Sequence, residues 1–164
     1  KVTQVAAFVR SLTSPAIANT VSGDAGKGKE IFFGAGRCSS CHMILGQGGY
    51  PGPDLSNIAA ERTVPQLRES VMKPSARIAD GFRGASATLK SGRTIQGVAK
   101  NANNYSVQIL DRNGRMHLLD RSHIDKLEMK EESMMPAVAN ASDAQNLIAF
   151  LALLSTRPKD GASQ

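Results

Sequence analysis

The residues able to do chemistry are concentrated in one short stretch. "GRCSSCHMIL", residues 36–45, holds both cysteines of the 164-residue chain, and His42 directly follows the second. Two thiols and an imidazole in the order Cys38-x-x-Cys41-His42 fit three chemistries. A thiol–disulfide redox pair would use the Cys-x-x-Cys part, but it belongs after a strand in a βαβ setting, and here a helical pattern and glycines precede it. A structural zinc site needs two further ligands at suitable spacing. His117 and His123 are the other histidines, there is no second cysteine pair, and Cys41 and His42 are awkwardly adjacent for one tetrahedral ion. Covalent haem attachment uses all three residues: thiols one helical turn apart form thioethers with the two vinyl groups, and the neighbouring imidazole binds the iron from one face.

The elements that must position this stretch are read from periodicity. Val5, Phe8, Val9 and Leu12 predict a helix over 3–12, stopped by Ser14-Pro15. Asp24 is the expected cap of a second helix, "AGKGKEIFFG", which ends at Gly34 or Gly36. The Gly/Pro-rich loop "GQGGYPGPDL" after the motif is too broken for regular structure. Thr63 caps a short helix with Val64, Leu67 and Val71 as its apolar stripe and Pro74 beyond its end. From Ser86 the period becomes alternating, and Ser91-Gly92 and Asn113-Gly114 supply hairpin turns. The closing helix, "SDAQNLIAFLALL", reads Ser142 and Gln145 as a capping box. Residues 5–12 and 147–154 share a pattern with Phe8 opposite Phe150, as the end of a preceding similar domain would.

Bulk composition narrows the function. Hydrophobic residues make up 41% of the chain and charged ones 21%, as in an ordinary globular protein. Aromatics are only 4% and Trp is absent, so a large flat apolar group would help fill the core. No apolar run reaches the length of a membrane span. The net charge is +6, and residues 62–126 carry twelve Lys and Arg against five Asp and Glu. That basic middle could favour acidic partners. Basic clusters and aromatics are too sparse there for nucleic acid. The chain starts in mid-pattern at Lys1, as a mature or excised fragment would.

Gly28-Lys29-x-x-Phe32, Cys38-x-x-Cys41-His42, Gly52-Pro53-Asp54-Leu55, Met135-Pro136 and Leu147-Ile148-Ala149-Phe150-Leu151 follow in an order that resembles a class I c-type cytochrome. The fuller run, with "LRESVMKPSARI", "LKSGRTIQGV" and "SMMP", is similar to a bacterial family of haem-binding domains found on large extracytoplasmic dehydrogenase-like proteins. The resemblance implies a mainly α, cytochrome c-like fold around one covalently attached haem c, with an inserted small antiparallel β meander or barrel at about 85–130. The domain would span 23–158, after an N-terminal helix and linker over 1–22 and before a tail at 159–164. It implies thioethers at Cys38 and Cys41, proximal ligation by His42, and a Pro53 carbonyl that accepts the other imidazole N–H. Phe32 and Phe150 would meet where the first and last helices cross. Arg62, Arg77 and Tyr50 are candidates for propionate contacts, with surface placement the simpler reading of each.

The implied function is electron transfer, with no catalysis on a substrate. The partners would be redox proteins such as a dehydrogenase or another cytochrome domain, and the location periplasmic or otherwise extracytoplasmic. For the second axial ligand Met135 is preferred among six methionines. Met43 adjoins His42, and packing explains Met72 and Met116. Pro136 biases Met135 toward an extended backbone, which leaves Met134 pointing elsewhere. His117 and His123 would give bis-histidine ligation, which the order of motifs does not favour. Two other functions use the same residues. One is a haem-based ligand sensor or peroxidase-like site with a labile methionine; the other is a partner-binding module with a structural haem.

Overall fold

The computed structural model of the protein describes residues 4–6 and 14–156. The helix expected over 3–12, and its likeness to 147–154, falls mostly outside the described residues, as does the tail from 157 onward. The main elements are helices α1 (Ala25–Phe33), α2 (Ile58–Glu61), α3 (Val64–Met72) and α4 (Ala141–Leu151), with the short strands β1 (Met43–Ile44) and β2 (Gln47–Gly48) between α1 and α2 and longer strands between α3 and α4.

Each long helix starts on a side chain that satisfies its free N–H groups. Asp24 accepts from Lys27 N–H at 3.0 Å to open α1. Thr63 and Gln66 form a reciprocal capping box on α3. At α4 the cap differs from the expected Ser142: Asn140 Oδ1 accepts from the N–H groups of Ser142 and Asp143 at 2.9 and 3.0 Å. Gln145 is thereby free for tertiary bonds. It donates to the Ser22 carbonyl and to Ser22 Oγ, and accepts from Arg68 Nη2 at 2.6 Å. These bonds tie the segment before α1, and α3, to α4.

Helices α1 and α4 cross at Gly28, where a β-carbon would run into the Asn146 carbonyl. One turn on, the Phe32 and Phe150 rings lie 5.8 Å apart between centroids. Phe32, Leu67, Val71, Leu147, Ile148 and Leu151 form one core, joined by Ile44 and Leu55 from the segment after the cysteine motif. Burying a Phe ring in such a core is worth ~3–5 kcal/mol against its truncation to Ala. The same apolar contacts that hold the helices therefore fix both flanks of residues 44–55.

The second part is a five-stranded antiparallel sheet of β3 (Arg83–Leu89), β4 (Thr94–Ala102), β5 (Ser106–Leu110), β6 (Met116–Asp120) and β7 (Ile124–Met129). The order is β6-β5-β4-β3-β7. Four strands run as a meander, and the fifth returns past them to pair with β3, Ala87 opposite Leu127. The sheet has its own small core of Ala85, Ala87, Ile95, Ala99, Val107 and Ile109, with Leu119 and Leu127 packed on it. Its β5–β6 turn is organised by Asp111, which accepts from Asn113 N–H, Arg115 N–H and His117 Nε2 at 2.9, 3.0 and 2.8 Å.

The expectation of a mainly α fold is overturned. Helix accounts for 31% of the described residues and strand for 25%, so the chain is a mixed α and β structure. The reason is length. The long helices have only nine to eleven residues because glycine- and proline-bearing loops interrupt them, while the sheet extends continuously from residue 83 to 129. Among the described residues no helix is long and apolar enough to cross a membrane.

Candidate haem site

The two cysteines sit on one tight turn directly after α1. Gly36 N–H bonds back to the Ile31 carbonyl, and Arg37 then takes a left-handed conformation, φ 51°, which reverses the chain. Cys38–Ser40 form a single 3₁₀ turn. The N–H groups of Cys41 and His42 both donate to the Cys38 carbonyl, at 3.1 and 2.9 Å. Cys38 is half-buried and Cys41 exposed, and both thiols are free. Burial pushes the Cys38 thiol up, outweighing its backbone hydrogen bond, and the nearby Cys41 adds to the rise. A thiol–disulfide redox pair works with a depressed thiol, so this environment argues against that chemistry.

The loop after the motif folds back across it. Strands β1 (Met43–Ile44) and β2 (Gln47–Gly48) make a minimal hairpin, and its second strand lies in the loop that the sequence reads as too broken for regular structure. Gly49 N–H then donates to the Ser39 carbonyl at 2.9 Å, Gly52 N–H to the Cys41 carbonyl at 2.8 Å, and Leu55 N–H to the Met43 carbonyl at 2.8 Å. These three bonds bring Gly52 and Pro53 against the His42 ring. A β-carbon built on Gly52 would lie 2.7 Å from both Cε1 and Nδ1 of that ring, so only glycine allows the approach.

His42 Nδ1 lies 2.9 Å from the Pro53 carbonyl oxygen. A carbonyl only accepts, so Nδ1 carries the proton and Nε2 keeps its lone pair. Burial holds the imidazole below its ordinary range, and the Pro53 bond opposes this less strongly. A neutral ring with one nitrogen donating to the backbone and the other free is the form that binds a metal. Two free thiols on one turn beside it complete a donor set that fits a covalently bound haem. For zinc the set is short: among the described residues no three His, Cys, Asp or Glu side chains could hold a metal ion together.

Of the other sequence candidates, Met135 is half-buried on the loop before α4. Ser133 N–H donates to Ser75 Oγ at 3.0 Å and Val138 N–H to the Val71 carbonyl at 3.0 Å, which fastens this loop to the end of α3. Met72, Met116, Met129 and Met134 are each at least 36% exposed, and Met43 is held in β1 beside His42. His117 is engaged with Asp111, and His123 lies exposed in the turn before β7. Arg77 is exposed and 3.9 Å from Glu69. Tyr50 is 64% exposed, and Arg62 is half-buried. Gly52 is the feature that reading residue types alone leaves unexplained; its signal was the Gly-Pro pair itself, at the point where the chain must pass closest to the imidazole.

A search among curated proteins finds no match to the chain. A model of the family described as Cytochrome c matches residues 25–155, from the start of α1 past the end of α4. Members of that family bind haem c covalently, with its iron, and serve haem-based electron transfer. With the matched span covering most of its length, the chain belongs to the cytochrome c family.

Proposed function

We propose that the chain is a mono-haem electron-transfer domain in which Cys38 and Cys41 would carry the thioethers and His42 and Met135 would bind the iron. The observation that carries this reading is the His42 ring itself: Nδ1 is committed to Pro53 at 2.9 Å and Nε2 is left free. Pro53 orients the ring and raises its basicity, and Gly52 leaves it room. Met135 is the half-buried methionine outside the segment that adjoins His42. When bound, the haem would supply a one-electron couple, and a methionine ligand in addition to the histidine would raise its potential. With His42 and Met135 both engaged, the group would be held for electron transfer and not for chemistry on a substrate.

The same reading puts the domain outside the cytoplasm, at residues 23–158, with the sheet inserted at about 85–130. The donor or acceptor would be a redox protein, for instance a dehydrogenase to which the domain is joined or another cytochrome domain. Likeness to the haem-binding domains of large extracytoplasmic dehydrogenase-like proteins supports this. The test is ligand binding at the haem of the purified holoprotein. The expected result is a reversible one-electron titration together with a ferrous spectrum that CO leaves unchanged. A spectrum that shifts on adding CO, or a ferric one that shifts with dilute cyanide, would favour a ligand sensor or peroxidase-like site instead.

A further inference from the structure

The loop that carries Met135 is tied to both halves of the molecule. Its two hydrogen bonds to Ser75 and Val71 hold it to the end of α3, and a third joins it to the sheet, where Lys130 N–H donates to the Gly84 carbonyl at 2.8 Å. Inside the loop, Met135 N–H donates to Ser133 Oγ at 3.1 Å, which stiffens the backbone just before the methionine side chain departs.

The side chain of Met134 lies on the sheet at Gly84. A β-carbon built there would sit 3.1 Å from Met134 Cγ and 3.3 Å from its Sδ, and 3.3 Å from Lys130 Cγ. Gly84 is buried near the start of β3, and its partner across the ladder, Val98 of β4, is 3% exposed. A side chain at position 84 would meet the Met134 thioether, which would have to move.

We propose that Gly84 leaves open the seat in which Met134 lies, and that keeping this seat open stops the sheet from displacing the loop that carries Met135. Gly84 is then a positioning residue for the methionine ligand of the iron. The inference rests on the reading of Met135 as that ligand. Met135, the next residue, is half-buried where Met134 is exposed. A bulky side chain at 84 that drives Met134 from this seat would strain the backbone the two residues share. Removing the Met134 thioether leaves the three hydrogen bonds of the loop in place.

The test uses the holoprotein with Gly84→Leu, Gly84→Ala, and Gly84→Leu combined with Met134→Ala. The readouts are the weak sulfur-to-iron band of the ferric spectrum, the midpoint potential and CO binding to the ferrous form. Gly84→Leu is expected to weaken or abolish the band, lower the potential and admit CO. Gly84→Ala shifts the potential less and in the same direction, which keeps the test decisive if the leucine variant does not assemble. Adding Met134→Ala to Gly84→Leu makes room for the new side chain and is expected to restore band and potential, a rescue that general destabilisation would not give. Parental behaviour in whichever Gly84 variants assemble, or a double variant as disturbed as Gly84→Leu, would overturn the proposal. If Met135→Ala itself keeps the band, the ligand assignment fails; if Met135→Ala loses it and the Gly84 variants stay parental, only the seat fails.

Discussion

Met135→Ala is expected to strip the weak sulfur-to-iron band from the red end of the ferric spectrum, lower the midpoint potential and open the iron to CO. A thioether is a soft donor that favours the ferrous state, so its loss shifts the couple toward oxidation. Axial ligands command a span of roughly 0.8 V in haem proteins, so loss of a ligand is expected to move the potential more than a change in its surroundings. Met134→Ala is expected to keep the band. The Met134 side chain lies against Gly84, and the hydrogen bonds from Ser133 and Val138 that fasten the loop do not involve it. Ferric absorption, a redox titration and CO addition to the two variants check the pair. The reverse pattern would transfer the ligand role to Met134.

Gly52→Val is expected to cost nearly as much on the other face. The valine β-carbon would fall 2.7 Å from two atoms of the His42 ring and 3.1 Å from the Cys41 carbonyl, so the ring has to swing away from Pro53. Overpacking of this kind costs ~1–3 kcal/mol. Losing the outer hydrogen bond of a ligating imidazole typically costs ~10–100-fold in metal affinity. The yield of haem-loaded protein should therefore drop, and what assembles should titrate at an altered potential with a lower unfolding temperature. A Gly52→Val protein with parental yield, potential and unfolding temperature would show that the ring does not depend on this approach.

The sequence was most legible where local pattern and tertiary packing agree. The stripes of Val64, Leu67 and Val71, and of Leu147, Ile148 and Leu151, lie in the helical core, and the turn glycines Gly92 and Gly114 both take positive φ. Local pattern failed where partners are distant. Asn140 and Ser142 are both good caps, and Gln145 is drawn away by Ser22 and Arg68, which no short-range rule foresees. Alternation marks β7 as a strand but not its pairing with β3. The hairpin at 43–48 turns on Leu45 and Gly46 at φ 48° and 80°, and a leucine in that conformation is no turn signal. The balance of helix and strand was misjudged because the helical motifs carry the recognisable chemistry while the sheet carries none.

Of the proposed site residues, Cys38, Cys41 and His42 stand out as candidates by their adjacency, whereas Pro53 and Met135 are carried over from the order of motifs. Gly84 could not be found in the sequence at all. The part proposed for it depends on a contact between a strand and a loop some fifty residues later, and that contact exists only once the sheet has folded.

The central claim is that this one turn of chain holds the haem. Trypsin cuts after Arg37 and after Arg62, with no Lys or Arg between, so residues 38–62 leave as one peptide containing both cysteines and His42. The decisive measurement is the mass of that peptide after acid–acetone extraction of the denatured holoprotein. The expected result is a peptide heavier by one haem, with neither cysteine open to alkylation. An unmodified peptide with two alkylatable thiols, all haem having left in the acetone, would contradict the account.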